Sequence, residues 1–256
     1  MQVICNRAKE DIDNRLRRID LVCTDLDECL FPFFTQVLVA GEILFESFFK
    51  RNQWKYLPRL IAGFFFLLCI IVVTLGDVKR LSNKVLMKAY ERTMSGIPLD
   101  LIKKHSQYVH TFFYAESLSF LKLFADKNIP IVILSLSIQP VLDILKDNIG
   151  FIHEGIGNSI EIDHGTDTFS HYAEPMMTGG NDKHKRFMKI ISKYNTQCPL
   201  IIGHSSDELS LVSLARERGG LSIGINPKKR NREKFDIVLQ GVNWRPLIAV
   251  VMNSCQ

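Results

Sequence analysis

The sequence predicts an α/β fold, a parallel sheet covered by helices on both faces, with a long helical insertion after its first strand. Three observations predict it. Short apolar runs with a β-branched bias, Ile19 to Thr24, "IPIVILSLS", "CPLIIG" and "LSIGIN", read as buried strands. Amphipathic segments alternate with them, and strand alternating with helix favours a parallel sheet. The stretch from Phe31 to about Leu118 reads as helix throughout, far longer than an ordinary connection within such a sheet.

Taken in order, residues 1–18 read as a polar lead-in, helical or frayed. "SLSFLKLFADKN" reads as an amphipathic helix before the second strand. "QPVLDILKDNIG" follows that strand as a helix with Pro140 in its first turn and Gly150 at its end. Phe151 to Gly180 reads as loop and hairpin. A basic helix, Asp182 to Tyr194, leads to the third strand. "DELSLVSLARERGG" is the helix between the third and fourth strands, and "PKKRNREKFDIVLQ" trails the last. The expected division is a core of residues 1–30 and 119–256, with residues 31–118 as the insertion.

The 256 residues are 46% hydrophobic and 23% charged, a globular balance. A net charge of +5 suits a small anionic substrate or a membrane surface. No concentrated basic stripe accompanies it, so nucleic acid is not an expected partner. The six cysteines are scattered without CxxC spacing, the pattern of reduced, buried thiols in a cytoplasmic protein. The charged first twenty residues lack a signal-peptide pattern.

"LIAGFFFLLCIIVVTLG", Leu60 to Gly76, carries no charge and borders on the length of a membrane span. The strands on either side share one sheet, so a crossing here needs a second one. The nearby candidate, Leu30 to Phe49, carries Glu42 and Glu46, each costing roughly 2–3 kcal/mol in hydrocarbon. A buried helix and a helix lying on a membrane both stay open, ahead of a hairpin span. The flanking cations Lys50, Arg51, Lys55, Arg59, Lys79 and Arg80 keep peripheral membrane contact in view.

Parallel sheets carry their sites at the strand ends. Asp25 and Asp27 follow the first strand, Ser135 and Ser137 close the second, and "GHSSDE" follows the third, with Lys183 ahead of it in "GGNDKHKRF". A carboxylate pair, a hydroxyl, a lysine and a second acidic group make an anion-plus-metal constellation. A carboxylate can attack phosphorus, and the lysine and hydroxyl can offset the charge on the transferring oxygens. Magnesium wants oxygen ligands and a substrate phosphate.

From Ile19 to Leu247 the chain resembles the haloacid dehalogenase (HAD) superfamily, in its phosphoserine-phosphatase-like branch. "DLDECLF" resembles the first motif, DxDx(T/V), with Cys29 in the Thr/Val place. "IVILSLSIQPVLDILKDNIGF" is similar to the second, "GGNDKHKRFMKI" to the third and "LIIGHSSDELSLVSLA" to the fourth. "GINPKK" and "GVNW" are like the tail that follows in this branch. The resemblance implies a Rossmann-like core and an α-helical cap formed by the insertion. It implies Asp25 as a nucleophile that becomes an aspartyl-phosphate, and Asp27 as acid and base, with its backbone carbonyl on the metal. Ser135 and Lys183 would bind the phosphoryl oxygens, and Mg²⁺ would be held by Asp25 and Asp27 with Asp207 and Glu208.

The fourth motif departs from the pattern. Where the family has Gly-Asp with another Asp four residues on, this chain has His204, then Asp207 beside Glu208. Histidine is a poor magnesium ligand. Either Asp207 or Glu208 reaches the metal, or the site is weakened, or it prefers a softer cation. Blander readings stand beside the sharp ones. Ser137 is expected to cap the helix after it, Lys185 rivals Lys183, and Cys29 is expected to pack rather than react. The leading function is a magnesium-dependent phosphomonoester hydrolase, with transfer to an acceptor other than water as a variant. Its rival is a catalytically weakened domain that binds a partner or a membrane surface. The phenylalanine-rich insertion hints at a substrate with an apolar portion.

Overall fold

Alternation along short apolar strands sends successive side chains to opposite faces, and both faces are filled here. Val22, Ile131, Ile133, Leu200, Ile202 and Ile223 enter one core, while Leu21, Cys23, Val132, Leu134, Ile201 and Val238 enter the other. The computed structural model describes residues 2–75 and 83–254. Its main sheet has seven strands: β1 (Gln2–Cys5), β2 (Leu21–Thr24), β3 (Ile131–Ile138), β4 (Glu154–Asn158), β7 (Pro199–Gly203), β8 (Leu221–Ile225) and β9 (Ile237–Gln240). A separate antiparallel hairpin holds β5 (Ile160–Asp163) and β6 (Thr168–Tyr172).

The order across the sheet is β1-β9-β8-β7-β2-β3-β4. Every pairing in it is parallel except β1 with β9. The larger core lies under α1 (Lys9–Leu16), α6 (Ser117–Ala125), α7 (Gln139–Ile149) and α10 (Arg245–Ser254). The smaller one lies under α8 (Gly180–Tyr194) and α9 (Leu209–Glu217), through Phe187, Ile190, Leu211 and Ala215. Gly150 ends α7 in the left-handed conformation, φ 73°, as its place in the sequence predicts.

Four expectations need correction. The polar lead-in is a strand and a helix: four residues are too few to show a period, and β1 gains its partners from β9, Gln2 opposite Gln240. β9 lies inside the charged tail, where "DIVL" is one buried turn-to-turn span. β4, expected as loop, pairs with β3; its glycines hide the pattern but let Leu142 of α7 approach closely. β3 runs one residue past "IPIVILSLS", to Ile138. Of the cysteines, Cys23, Cys29 and Cys198 are buried, Cys5 and Cys69 are exposed, and Cys255 lies outside the described residues.

The insertion is helical as predicted: α2 (Thr35–Phe49), α3 (Leu57–Leu75), α4 (Asn83–Met94) and α5 (Leu99–Ser106). α3 and α4 cross closely at Gly63, where an added Cβ would stand 2.2 Å from Thr93 Oγ1. Leu60 and Leu67 of α3 are buried, yet Phe65 is 62% exposed. Phe45, Phe48 and Phe49 of α2 and Trp54 are exposed too. The end of the apolar run at Gly76, with Lys79 and Arg80, lies outside the described residues. Among the described residues, no helix is long and apolar enough to cross a membrane.

The insertion sits over the C-terminal ends of β2, β3 and β7. Thr35 and Gln36 at the start of α2 touch Ser137 and the Leu136 carbonyl, and Asn83 at the start of α4 reaches Asp207. The segment between α4 and α5 is stitched to the hairpin by main-chain bonds: Gly96 N–H to the Phe169 carbonyl, Phe169 N–H to Ile97, and Leu99 N–H to Asp167. Glu91 of α4 adds a carboxylate that accepts from the Tyr172 N–H.

Candidate active site

β2 ends at Thr24, and the next residue starts the site. The Asp25 N–H donates to the Ile202 carbonyl, which pins the loop to β7. Asp25 Oδ1 accepts from the Leu26 N–H at 2.9 Å, and Oδ2 stands 3.0 Å from Lys183 Nζ. Lys183 comes from the first turn of α8 and is buried at 2% exposure. Its Nζ lies 2.7 Å from Glu208 Oε1. Lys185 points elsewhere, lining a separate surface cavity of about 620 Å³ with Glu154, Arg186 and Lys189.

Asp27 Oδ1 accepts from the Thr35 N–H at 2.8 Å, so the start of α2 caps onto it. Burial pushes the Asp27 carboxyl up to about 7, with neighbouring Asp25 adding, against the lowering bonds from Thr35. Ser135 is fully buried, and its Oγ accepts from the Ser137 N–H at 3.2 Å. Ser137 does not cap α7 as expected, because its hydroxyl lies 2.9 Å from Thr35 Oγ1. A polar chain thus runs from Ser135 through Ser137 and Thr35 to Asp27.

The fourth loop is built by Glu208. Its Oε2 takes bonds from the Ser205 N–H and hydroxyl, both 2.9 Å, and from the His204 N–H. The Ser205 hydroxyl in turn accepts from the Asp207 N–H, completing a capping box. Gly203 is the residue that lets this happen: a Cβ there would fall 2.5 Å from Glu208 Cγ. Burial works against charge on Glu208, but Lys183 and His204 hold it below the usual carboxylate range. Burial likewise opposes charge on Lys183, and Asp25 and Glu208 outweigh it. Asp207 faces the insertion and accepts from Asn83 Nδ2 at 2.8 Å.

Neither a family model nor a curated protein matches the chain. Solved structures do. A HAD family hydrolase from Salmonella enterica serovar Typhi superposes with a TM-score of 0.69 at 14% identity, over 90% of this chain and 70% of that one. A probable phosphoserine phosphatase from Vibrio cholerae gives 0.64 at 11%, over 94% and 66%. A cytosolic 5'-nucleotidase IIIB bound to cytidine gives 0.65 at 12%, over 96% and 90%.

The fold is that of the HAD hydrolases, phosphoserine-phosphatase-like in form. At such identities the likeness concerns fold.

Within that HAD fold, Asp25, Lys183 and Glu208 meet in direct contact, and Asp27 and Ser135 join through Thr35 and Ser137. Asp207 turns away to the cap. His204, in the place of the motif's first acid, faces Asp25: Nδ1 is 3.5 Å from Asp25 Oδ2 and 3.7 Å from Cys29 Sγ, and Nε2 is 3.2 Å from Glu28 Oε2. Burial disfavours a charged ring, yet the bonds to Asp25, Cys29 and Glu28 hold His204 well above its ordinary value. Burial pushes the Cys29 thiol up to about 12. Glu28 itself sits at φ 56°, an uncommon conformation for a non-glycine residue, which turns it toward the ring.

Thr35, Glu28 and Asn83 are the site residues the sequence does not disclose. Thr35 leaves a faint signal as a hydroxyl residue opening a greasy helix. Glu28 and Asn83 leave none, since their partners lie 176 and 124 positions away.

Proposed function

We propose that this chain is a phosphomonoester hydrolase that works through an aspartyl-phosphate. The observation that carries the reading is Asp25, fixed at the end of β2 with one carboxylate oxygen against the buried Lys183. In the first step a carboxylate oxygen of Asp25 bonds to phosphorus as the ester P–O bond breaks. Asp27 gives its proton to the leaving oxygen. A carboxyl pushed up to about 7 is still partly protonated at neutral pH, which suits that task. Lys183 offsets the negative charge of the transferring group. Asp27, now ionised, takes a proton from water, which attacks phosphorus, releases phosphate and restores Asp25. Ser135 contributes a hydroxyl to the phosphoryl oxygens.

Magnesium held by Asp25, Asp27, Asp207 and Glu208 is what the family resemblance implies. Magnesium demands an octahedron of hard oxygens. Glu208 is committed to Lys183 and the loop amides, and Asp207 to Asn83. Besides Lys183, the groups facing Asp25 are an imidazole and a thiol. The donor set does not fit magnesium, and no step above depends on it.

The cap favours an ester with an apolar portion, met at a membrane surface. Phe45, Phe48, Phe49 and Trp54 are exposed beside Lys50, Arg51 and Lys55, an arrangement suited to interfacial binding. Phosphate release from a generic aryl phosphate, in wild type and Asp25→Asn, tests the central reading. Release should fall to background in the variant; undiminished release would overturn the mechanism.

A further inference from the structure

Two departures from the HAD pattern, Cys29 and His204, lie side by side although 175 positions separate them. Among the described residues, Asp25, Cys29 and His204 are the group whose ligand atoms converge, all within 4.8 Å of one another. The spacing is informative. A tetrahedral zinc with bonds of about 2.3 Å to sulfur and about 2.0 Å to nitrogen and oxygen sets S and N roughly 3.6 Å apart, and N and O roughly 3.3 Å apart. Cys29 Sγ and His204 Nδ1 are 3.7 Å apart, and His204 Nδ1 and Asp25 Oδ2 are 3.5 Å apart.

A second observation is independent of those distances. The far nitrogen of the ring, Nε2, faces the Glu28 carboxylate at 3.2 Å. Metal-ligating histidines commonly give their other N–H to a carboxylate, which fixes the ring and makes it a better donor. That contact leaves Nδ1 as the nitrogen turned to Asp25 and Cys29.

We infer that Asp25 Oδ2, Cys29 Sγ and His204 Nδ1 form a three-ligand site for a borderline divalent cation, zinc foremost, with the fourth position left to water or a phosphate oxygen. Thiolate and imidazole select such a cation over magnesium. On binding, Cys29 and the His204 ring each release a proton to solvent, leaving a thiolate and a neutral imidazole. The anions Asp25, Glu28, Cys29 and Glu208 then surround the cation and Lys183. The inference rests on the hydrolase reading only for the use of the metal, not for its binding.

The test uses Co²⁺ as a spectroscopic probe on the full chain, with zinc affinity measured by competition against a chromophoric chelator. Wild type should show a thiolate-to-cobalt band in the near ultraviolet and intense tetrahedral bands in the visible. Cys29→Ser should lose the ultraviolet band, which separates this site from the exposed Cys5 and Cys69. Glu28→Gln should weaken zinc about 10–100-fold while keeping the band. His204→Asp should move the preference toward magnesium. Circular dichroism on each variant confirms folding. An unchanged spectrum in Cys29→Ser, or no cobalt binding by folded wild type, overturns the inference. A cobalt band without phosphate release upholds the site and overturns the hydrolase reading instead.

Discussion

Lys183 Nζ and Glu208 Oε1 stand 2.7 Å apart, each side chain 2% exposed. The pair joins the start of α8 to the loop after β7, and it is what presents the ammonium to Asp25. Removing one partner of a buried pair leaves the other charge stranded, at roughly 3–5 kcal/mol. Glu208→Gln should therefore lower unfolding free energy by about that amount in a urea titration. The double variant Lys183→Met/Glu208→Leu should lose less than the two single changes together. Strict additivity would mean that the pair does not couple.

Asp27 gives the fold a pH dependence in the metal-free state. Its folded value, near 7, lies above the ordinary carboxylate value, so the folded state holds the extra proton between about pH 4 and 7. Stability then falls as pH rises through that window, by at most about 1.4 kcal/mol per pH unit for one proton. Glu208, held low, contributes with the opposite sign and only toward the acid edge of that window, and His204, held high, adds to the decline only from about pH 6.5 upward. Thermal melts with a chelator should show this decline in wild type and a flatter profile in Asp27→Asn. Identical slopes would remove Asp27 as the cause.

Gly203 tests the fourth loop. An alanine methyl would meet Glu208 Cγ at 2.5 Å, and the loop amides fix Glu208 from the other side. Gly203→Ala should cost about 1–3 kcal/mol by overpacking and displace Glu208 from Lys183. A variant as stable as wild type would show that the loop shifts freely.

The exposed aromatics of the cap predict adhesion to lipid. In flotation with vesicles containing anionic lipid, wild type should rise with the vesicles at low salt and less so as salt screens Lys50, Arg51 and Lys55. Phe49→Ser/Phe65→Ser should stay at the bottom at either salt. Flotation of both proteins alike would rule out this face.

The Asp25–Asp27 loop and the two serines are legible in the sequence because each sits at the end of a buried apolar run, while Lys183 stands out as the lysine that opens a basic helix. The strands themselves are legible where β-branched and leucine residues crowd into a short run, as in "IPIVIL" and "PLIIG". β4 escaped because its glycines carry no pattern, and β1 because four residues show no period. The fourth loop is where place in the sequence and surroundings in the fold point different ways. Glu208 looked like a metal ligand by sequence place, but a buried lysine and three loop donors claim its oxygens first. Cys29 is expected to pack and is fully buried; its nearness to His204 leaves no signal in the sequence, since one cysteine says nothing about a histidine far along the chain.

The hairpin of β5 and β6 constrains how anything enters. The insertion leaves the core after Phe31 and returns near Ser117, and between α4 and α5 it is bound to the hairpin by three main-chain bonds. A body tethered at three places is braced like a roof on its walls, not hung like a door. At the site it rests on Ser137, on the Leu136 carbonyl and on Asp207, through Thr35, Gln36 and Asn83.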